Sequence, residues 1–197
     1  MVKSIKEVIF LFALLVVWRV LPMGTLREHT VAPTPENFQQ QISYATPNYQ
    51  RLALSTYLSA KYNISSSKVS KYVYEAWQVA AQENISPLLV VAMMQQESSL
   101  NPKAHNAYGA KGLLQVVPRF HKKLLSELHV QNLYAPHENI LAGTRILASY
   151  LRQERGNLVL ALQRYGGSKT YSDKVLAKKE ELQSVIDWVA GTRHQGA

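Results

Sequence analysis

Apolar residues recur every three or four positions along much of the chain after residue 47, which is the spacing of helices that bury one face. Pro, Gly, Ser and Asn residues separate these periodic stretches. The pattern predicts helices over about 48–61, 65–83, 86–97, 118–128, 137–154, 157–165 and 172–190. No run of four or more residues alternates in a way that requires a strand. We therefore predict an all-α fold with one compact domain from about 66 to 190.

The predicted helix from Ser86 to Glu97 is apolar around nearly its whole circumference. Ser86 suits the N-cap, and Pro87 suits the first turn, where its missing N–H leaves no hydrogen bond unmade. Residues 88–94 read LLVVAMM. A helix that is apolar all round is expected to be buried. This segment is therefore predicted to form the centre of the domain.

The first 23 residues have the shape of an export signal. Lys3 and Lys6 precede an apolar run over residues 8–18, and no small-residue cleavage site follows it. We expect an uncleaved signal-anchor that places the protein in the periplasm or cell envelope, held at the inner membrane. A buried or amphipathic N-terminal helix is the alternative. Residues 24–65 are then expected to form a tether with accessory helices, one of them near 36–44.

Composition limits the kinds of site that the chain can hold. It has no cysteine, and none of its six histidines has the spacing of a metal-binding pair, so neither a metal nor a cofactor is expected. The formal net charge of +9 favours anionic partners such as acidic polymers, anionic lipid or nucleic acid. Nucleic acid is not expected as the partner, because no basic-aromatic platform or DNA-binding pattern is present.

Glu97 is the only acidic residue between Glu83 and Glu127, and it ends the most apolar predicted helix. A buried glutamate needs a partner, which Lys103 or Lys111 could provide, and a frayed helix end would instead expose it to water. The functional alternative is a general acid. An apolar environment disfavours the carboxylate and raises the pKa, as protonation of a glycosidic oxygen requires.

Four motifs resemble the soluble-type lytic transglycosylase (SLT) family, in the same order. The family patterns are Glu-Ser-x-x-x-Pro, Gly-Ala-x-Gly-Leu-Met-Gln-x-x-Pro, Asn-Ile-x-x-Gly and Ala-Tyr-Asn-Ala-Gly. The corresponding segments here are QESSLNPKA at 96–104, GAKGLLQVVP at 109–118, NILAGT at 139–144 and ALQRYGGS at 161–168. Leu114 stands in place of Met, and Gly166-Gly167-Ser168 stands in place of Asn-Ala-Gly. The resemblance covers roughly residues 66–180.

This resemblance implies a lysozyme-like (goose-type or SLT) helical domain behind an N-terminal hydrophobic segment. It also implies a lyase that cleaves the MurNAc-β-1,4-GlcNAc bond of peptidoglycan strands and leaves 1,6-anhydro-MurNAc ends. Two-carboxylate glycosidases need a second acid, and residues 98–126 contain no Asp or Glu. The alternatives are a lysozyme-like hydrolase on the same scaffold and a non-catalytic wall-binding or secretion-assembly protein.

The resemblance also implies roles for individual residues. Glu97 is the catalytic acid/base. Gln115 is expected to bind sugar groups, and the alternative is that its amide braces its own loop. Tyr165 is expected to place its hydroxyl near Glu97, and the alternative is that it is a core tyrosine.

Four further residues are predicted around the same site. Asn106 and Tyr171 are candidate substrate contacts, while Ser98 and Gly112 support the turn and the loop after Glu97. The expected partners are peptidoglycan strands and the membrane, and a secretion or cell-wall complex is a further candidate.

Overall fold

The computed structural model describes the backbone of residues 35–194 and the side chains of residues 48–191. The predicted signal-anchor lies outside the described residues. Within residues 35–194 the regular structure is helical, with no strand. The helices are α1 (Pro35–Tyr62), α2 (Ser66–Gln82), α3 (Pro87–Ser98), a 3-10 turn (Pro118–Phe120), α4 (Lys122–Glu127), α5 (Pro136–Gln153), α6 (Leu158–Gly166) and α7 (Lys169–His194).

The observed helix boundaries follow the sequence signals at most positions. Ser86 is the N-cap of α3 and Pro87 lies in its first turn, as predicted. The Asn157 side chain accepts a hydrogen bond from the Leu160 N–H at 3.1 Å and so caps α6. Gly156 has a positive φ of 84°, which is the backbone conformation that ends helices at glycine.

Three predicted helix boundaries differ from those observed. The helices predicted separately near 36–44 and over 48–61 form one continuous helix, α1, since Pro47 removes one backbone donor without ending the helix. The helix predicted over 118–128 is divided at His121, whose φ of −128° is not helical. The last helix begins at Lys169, earlier than its first predicted residue.

Helix α3 lies at the centre of the core. Its side chains from Leu88 to Gln95 are all buried, as expected of a helix that is apolar all round. It packs against α7 and α2, whose buried residues include Leu182 and Val73. The position of the end of α3 is therefore determined by packing on two long helices.

The C-terminal half of α1 contributes to the same core. Leu54 and Leu58 are fully buried, and the Tyr57 hydroxyl donates to Glu181 of α7 at 3.0 Å. The proposed division at residue 66 stays a prediction, but these contacts place part of the preceding segment against α2 and α7. Among the described residues no helix is both long and apolar enough to cross a membrane.

A single buried amide holds the long loop that follows α3. Asn139 of α5 has no exposed surface, and its amide nitrogen donates to the Lys111 and Leu133 carbonyls, both at 2.8 Å. Its amide oxygen accepts the Leu114 N–H at 2.7 Å. Gly112 fits beside it because a Cβ there would lie 2.2 Å from the Leu133 carbonyl oxygen and its φ is 76°.

We expect Asn139→Ala to destabilise the protein by about 3 kcal/mol, because the buried Leu114 N–H and Leu133 carbonyl would lose the bonds to this amide and the part-buried Lys111 carbonyl would lose one of its two. Asn157→Ala is the matched control, since it removes one exposed cap and should cost about 1 kcal/mol. Urea unfolding followed by circular dichroism measures both. Equal losses for the two variants would contradict the role given to Asn139.

Candidate functional site

Glu97 lies in the last turn of α3, where the chain reverses direction. Ser99 and Leu100 both adopt left-handed conformations, with φ of 51° and 62°. The Leu100 N–H bonds the Met94 carbonyl at 3.3 Å, a pattern typical of helix C-termini. The Leu100 side chain is fully buried. This turn brings the following loop back over the end of α3, beside Glu97.

The Glu97 carboxyl group is partly buried, and burial raises its pKa from an ordinary 4.5 to about 7. A hydrogen bond from the Tyr171 hydroxyl to Glu97 Oε1, at 2.6 Å, lowers the pKa and so opposes this effect. Desolvation is the larger of the two effects. Near neutral pH the side chain is therefore divided between its acid and carboxylate forms, as a group that both donates and accepts a proton requires.

The alternative ion pairs for Glu97 are not formed. The Lys103 and Lys111 ammonium groups lie over the Tyr134 ring instead, 5.6 and 5.8 Å from its centre. Among the side chains that the structure describes, no lysine or arginine forms an ion pair with Glu97. Its carboxyl group therefore keeps the raised pKa that burial gives it.

Tyr171 occupies a position that the local sequence makes for it. It is on α7, and its ring stacks nearly parallel to Tyr165, with centroids 6.3 Å apart. A Cβ on Gly166 would lie 2.0 Å from Tyr171 Cγ. The departure from the family motif at Gly166 thus leaves room for the ring that binds Glu97.

Tyr165, which was expected to place its hydroxyl near Glu97, donates to the Leu114 carbonyl at 2.8 Å. The direct bond to Glu97 comes from Tyr171, which had been predicted only as a substrate contact. Tyr165 is linked to Glu97 through Tyr171, which stacks on Tyr165 and donates to the carboxyl group. Burial, and after it the charge of Glu97, raise the Tyr165 pKa. Both tyrosines are therefore part of the site, and any contact of either with substrate stays a prediction.

Gln115 and Asn106 both hold the loop after α3. The Gln115 amide donates to the Ala104 and Gly112 carbonyls, at 3.1 and 2.9 Å. These bonds brace the loop, which was the alternative to binding sugar. The exposed Asn106 accepts the Ala110 N–H at 3.1 Å. Their binding of sugar stays a prediction.

Ser98 and Gly112, which were predicted to support the turn and the loop after Glu97, both lie where that loop meets a helix. Ser98 donates to the Met94 and Leu113 carbonyls, at 3.2 and 2.9 Å, so it links the end of α3 to the loop. Gly112 lies under the Asn139 amide, where no side chain fits. The loop therefore has fixed points on α3 and α5.

Two supporting residues were not predicted as part of the site. Asn139 is the first residue of the third motif, and this position is the one indication of its importance in the sequence. Its three hydrogen bonds depend on the tertiary fold and could not be predicted. Gly166 was noted only as a departure from the family pattern, and its importance depends on where the Tyr171 ring lies.

A family model described as the transglycosylase SLT domain matches residues 75–185. The chain belongs to this family. Membership confirms the resemblance and the prediction of an all-α, lysozyme-like SLT domain. The matched residues contain Glu97, Tyr171 and Asn139, and therefore the hydrogen bond to the carboxyl group and the amide that holds the neighbouring loop.

Similar proteins include a transglycosylase of Enterobacteria phage PRD1, 36% identical over 107 residues, which are 49% of this chain and 38% of the phage protein. A Haemophilus influenzae protein named among soluble lytic murein transglycosylases is 27% identical over 161 residues, 77% of this chain and 27% of that protein. The chain therefore spans well under half the length of either relative.

Two solved structures of a 70 kDa soluble lytic transglycosylase are also similar. The Escherichia coli enzyme is 19% identical with a TM-score of 0.45, and the alignment covers 79% of this chain and 27% of that one. A complex with bulgecin A is 20% identical with the same TM-score, covering 75% of this chain and 25% of that one.

We expect Glu97→Gln to be more stable than the natural protein by about 2–3 kcal/mol near pH 8, with the difference vanishing near pH 4. A buried carboxyl with a raised pKa destabilises the fold when charged, so stability falls as pH rises from 4.5 to about 7. Glutamine stays neutral throughout. Urea unfolding at both pH values tests this, and an equal difference at the two would contradict the raised pKa.

Proposed function

We propose that this protein is a peptidoglycan lytic transglycosylase that cleaves the MurNAc-β-1,4-GlcNAc bond and leaves 1,6-anhydro-MurNAc ends. One observation carries the proposal. A single carboxyl group, Glu97, lies partly buried at the end of the central helix with a pKa of about 7 and a hydrogen bond from Tyr171. Membership of the SLT family supports the same substrate class.

The surroundings of Glu97 favour a one-carboxylate reaction. Burial and the Tyr171 hydrogen bond are the causes of its pKa shift, and no other described carboxylate contributes. Eight of the nine other acids whose side chains the structure describes are bonded elsewhere, to lysine, arginine, histidine or glutamine side chains or to backbone N–H groups: Glu75, Glu83, Glu127, Glu138, Glu154, Asp173, Glu181 and Asp187. The ninth, Glu180, is exposed on α7. A hydrolase that needs two facing carboxylates is therefore disfavoured.

The proposed reaction uses this one group twice. Protonated Glu97 donates its proton to the glycosidic oxygen, and the bond between that oxygen and MurNAc C1 breaks. The MurNAc C6 hydroxyl then bonds to C1 and gives its proton to the Glu97 carboxylate, which restores the acid. The substrate's own N-acetyl group stabilises the charge that develops at C1. Water does not enter, so the product is the anhydro sugar.

The neighbouring residues have supporting roles in this proposal. Tyr171 orients the Glu97 carboxyl and keeps its pKa from rising further. Tyr165, Gln115 and Ser98 each donate hydrogen bonds to backbone carbonyls of the loop after α3. These bonds fix the position of the loop beside Glu97. Such fixed surroundings reduce the reorganisation needed during reaction.

The substrate and the predicted export signal support a location in the cell envelope. We propose that the apolar segment over residues 8–18 exports and anchors the chain, since peptidoglycan lies outside the cytoplasm. A secretion or cell-wall complex would then be a fitting partner. The non-catalytic alternative is disfavoured because a wall-binding or assembly protein would not need a carboxyl group held at a pKa of about 7.

We expect purified peptidoglycan digested by the natural protein to yield anhydro-MurNAc ends, which are one water lighter than reducing ends. Glu97→Gln should lower the rate by about 10²–10⁴-fold, because the proton donor is lost. Mass spectrometry of the soluble fragments measures both. Reducing ends would indicate the hydrolase, and an undiminished rate in Glu97→Gln would exclude catalysis by this residue.

A further inference from the structure

A groove between α1 and α2 is lined by a mixture of basic, hydroxyl and apolar side chains. Its volume is about 430 Å³. Both helices contribute to the lining, which consists of Arg51, Leu52, Ser55, Ser70, Lys71 and Tyr74. We call this feature the α1–α2 groove.

The two large apolar residues of the groove are not used in core packing. Leu52 is 51% exposed and Tyr74 is 49% exposed, whereas the neighbouring Leu54 and Val73 are fully buried. The Arg51 guanidinium lies 5.4 Å from the centre of the Tyr74 ring, so a cation and an exposed ring occupy the same place. Apolar side chains that are exposed together and rimmed by polar ones are typical of an interaction surface.

The positive charges of the groove are not neutralised within the described part of the chain. Neither Arg51 nor Lys71 forms an ion pair there, and Lys68 adds an exposed positive charge one helical turn before Lys71. Glu75 is the only acid between residues 48 and 82, and it is paired with His137 at 2.7 Å. The α1–α2 groove is therefore suited to an anionic ligand that also has an apolar part.

The position of the groove along the chain keeps it within reach of the membrane surface. The anchor that we propose lies within the first 23 residues, and α1 begins at Pro35. The connecting residues 24–34 can span at most about 40 Å when fully extended. Arg51 follows Pro35 by sixteen positions, which is about 24 Å along the helix axis. An anchored chain can therefore bring the α1–α2 groove to the lipid headgroups.

We infer that the α1–α2 groove binds the headgroups of anionic phospholipids at this membrane surface. The Arg51 guanidinium and the Lys71 ammonium bind the phosphate, and the two serine hydroxyls of the groove donate further hydrogen bonds. Leu52 and Tyr74 lie between the headgroups, the depth that amphipathic and aromatic side chains prefer. The inference goes beyond the proposed reaction and uses only the proposed anchoring. Binding at the groove orients the catalytic domain relative to the membrane.

A fluorescent maleimide at one introduced cysteine reports this contact, because the natural chain has no cysteine. Ser67→Cys places the dye one turn before Ser70, beside the groove and not inside it. The full chain is reconstituted in vesicles of phosphatidylcholine alone or of equal parts phosphatidylcholine and phosphatidylglycerol. Quenching by acrylamide, which is uncharged, measures how freely the dye is reached from water.

We expect quenching to be about half as strong on the vesicles that contain phosphatidylglycerol, because lipid then covers one side of the dye. Salt at about 1 M should restore quenching, since it screens the attraction between the groove and the lipid. Flotation of the vesicles measures anchoring separately, and anchoring by an apolar segment should persist in salt.

Arg51→Gln combined with Lys71→Gln should remove the difference between the two kinds of vesicle. The matched control combines Arg152→Gln with Arg155→Gln, which removes an equal charge from exposed residues at and just beyond the end of α5. Helix α5 passes the end of α2 at Arg145, and Arg152 is two turns further on, so the control lies away from the groove. It should retain the difference in quenching.

Equal quenching on the two kinds of vesicle would overturn the inference and would favour an acidic protein segment as the ligand. A difference that persists without Arg51 and Lys71 would also overturn it. A chain that floats with neither kind of vesicle would overturn both the groove's ligand and the anchoring. None of these measurements involves cleavage, so their failure is distinct from a failure to form anhydro ends.

Discussion

Burial of one carboxyl group at the end of the central helix is the constraint on which the rest of this site depends. Glu97 lies in the last turn of a helix whose side chains from Leu88 to Gln95 are all buried, so packing of that helix fixes the position of its backbone. Its pKa rises because the charged form loses solvation that Tyr171 only partly replaces. The same burial that costs stability gives the group a pKa near neutrality.

The surrounding architecture maintains that burial from three directions. Helix α7 supplies Tyr171, and Gly166 at the end of α6 leaves space for its ring. Helix α5 supplies Asn139, which fixes the loop after α3 through three hydrogen bonds. Ser98 then connects that loop to the helix end. The carboxyl group is thus enclosed by elements that come from distant parts of the sequence.

Features that depend on neighbouring residues could be predicted from the sequence, whereas contacts between distant residues could not. The helix starts at Ser86 and Asn157, the burial of α3 and the lone carboxylate Glu97 all followed from nearby residues. The hydrogen bond from Tyr171 could not be predicted, because it joins residues 74 positions apart and depends on how α7 packs on α3. Proline gave the wrong boundary at Pro47, since neighbouring hydrogen bonds continue the helix through it.

The proposed chemistry depends on a Glu97 pKa of about 7 in the folded protein. Carbon-13 NMR of glutamate side chains, with the signal assigned by its loss in Glu97→Gln, measures that value directly. We expect one glutamate to titrate near pH 7, and its midpoint to be still higher in Tyr171→Phe, where the hydrogen bond that lowers the pKa is absent. A Glu97 signal that titrates near 4.5, the ordinary value, would contradict it.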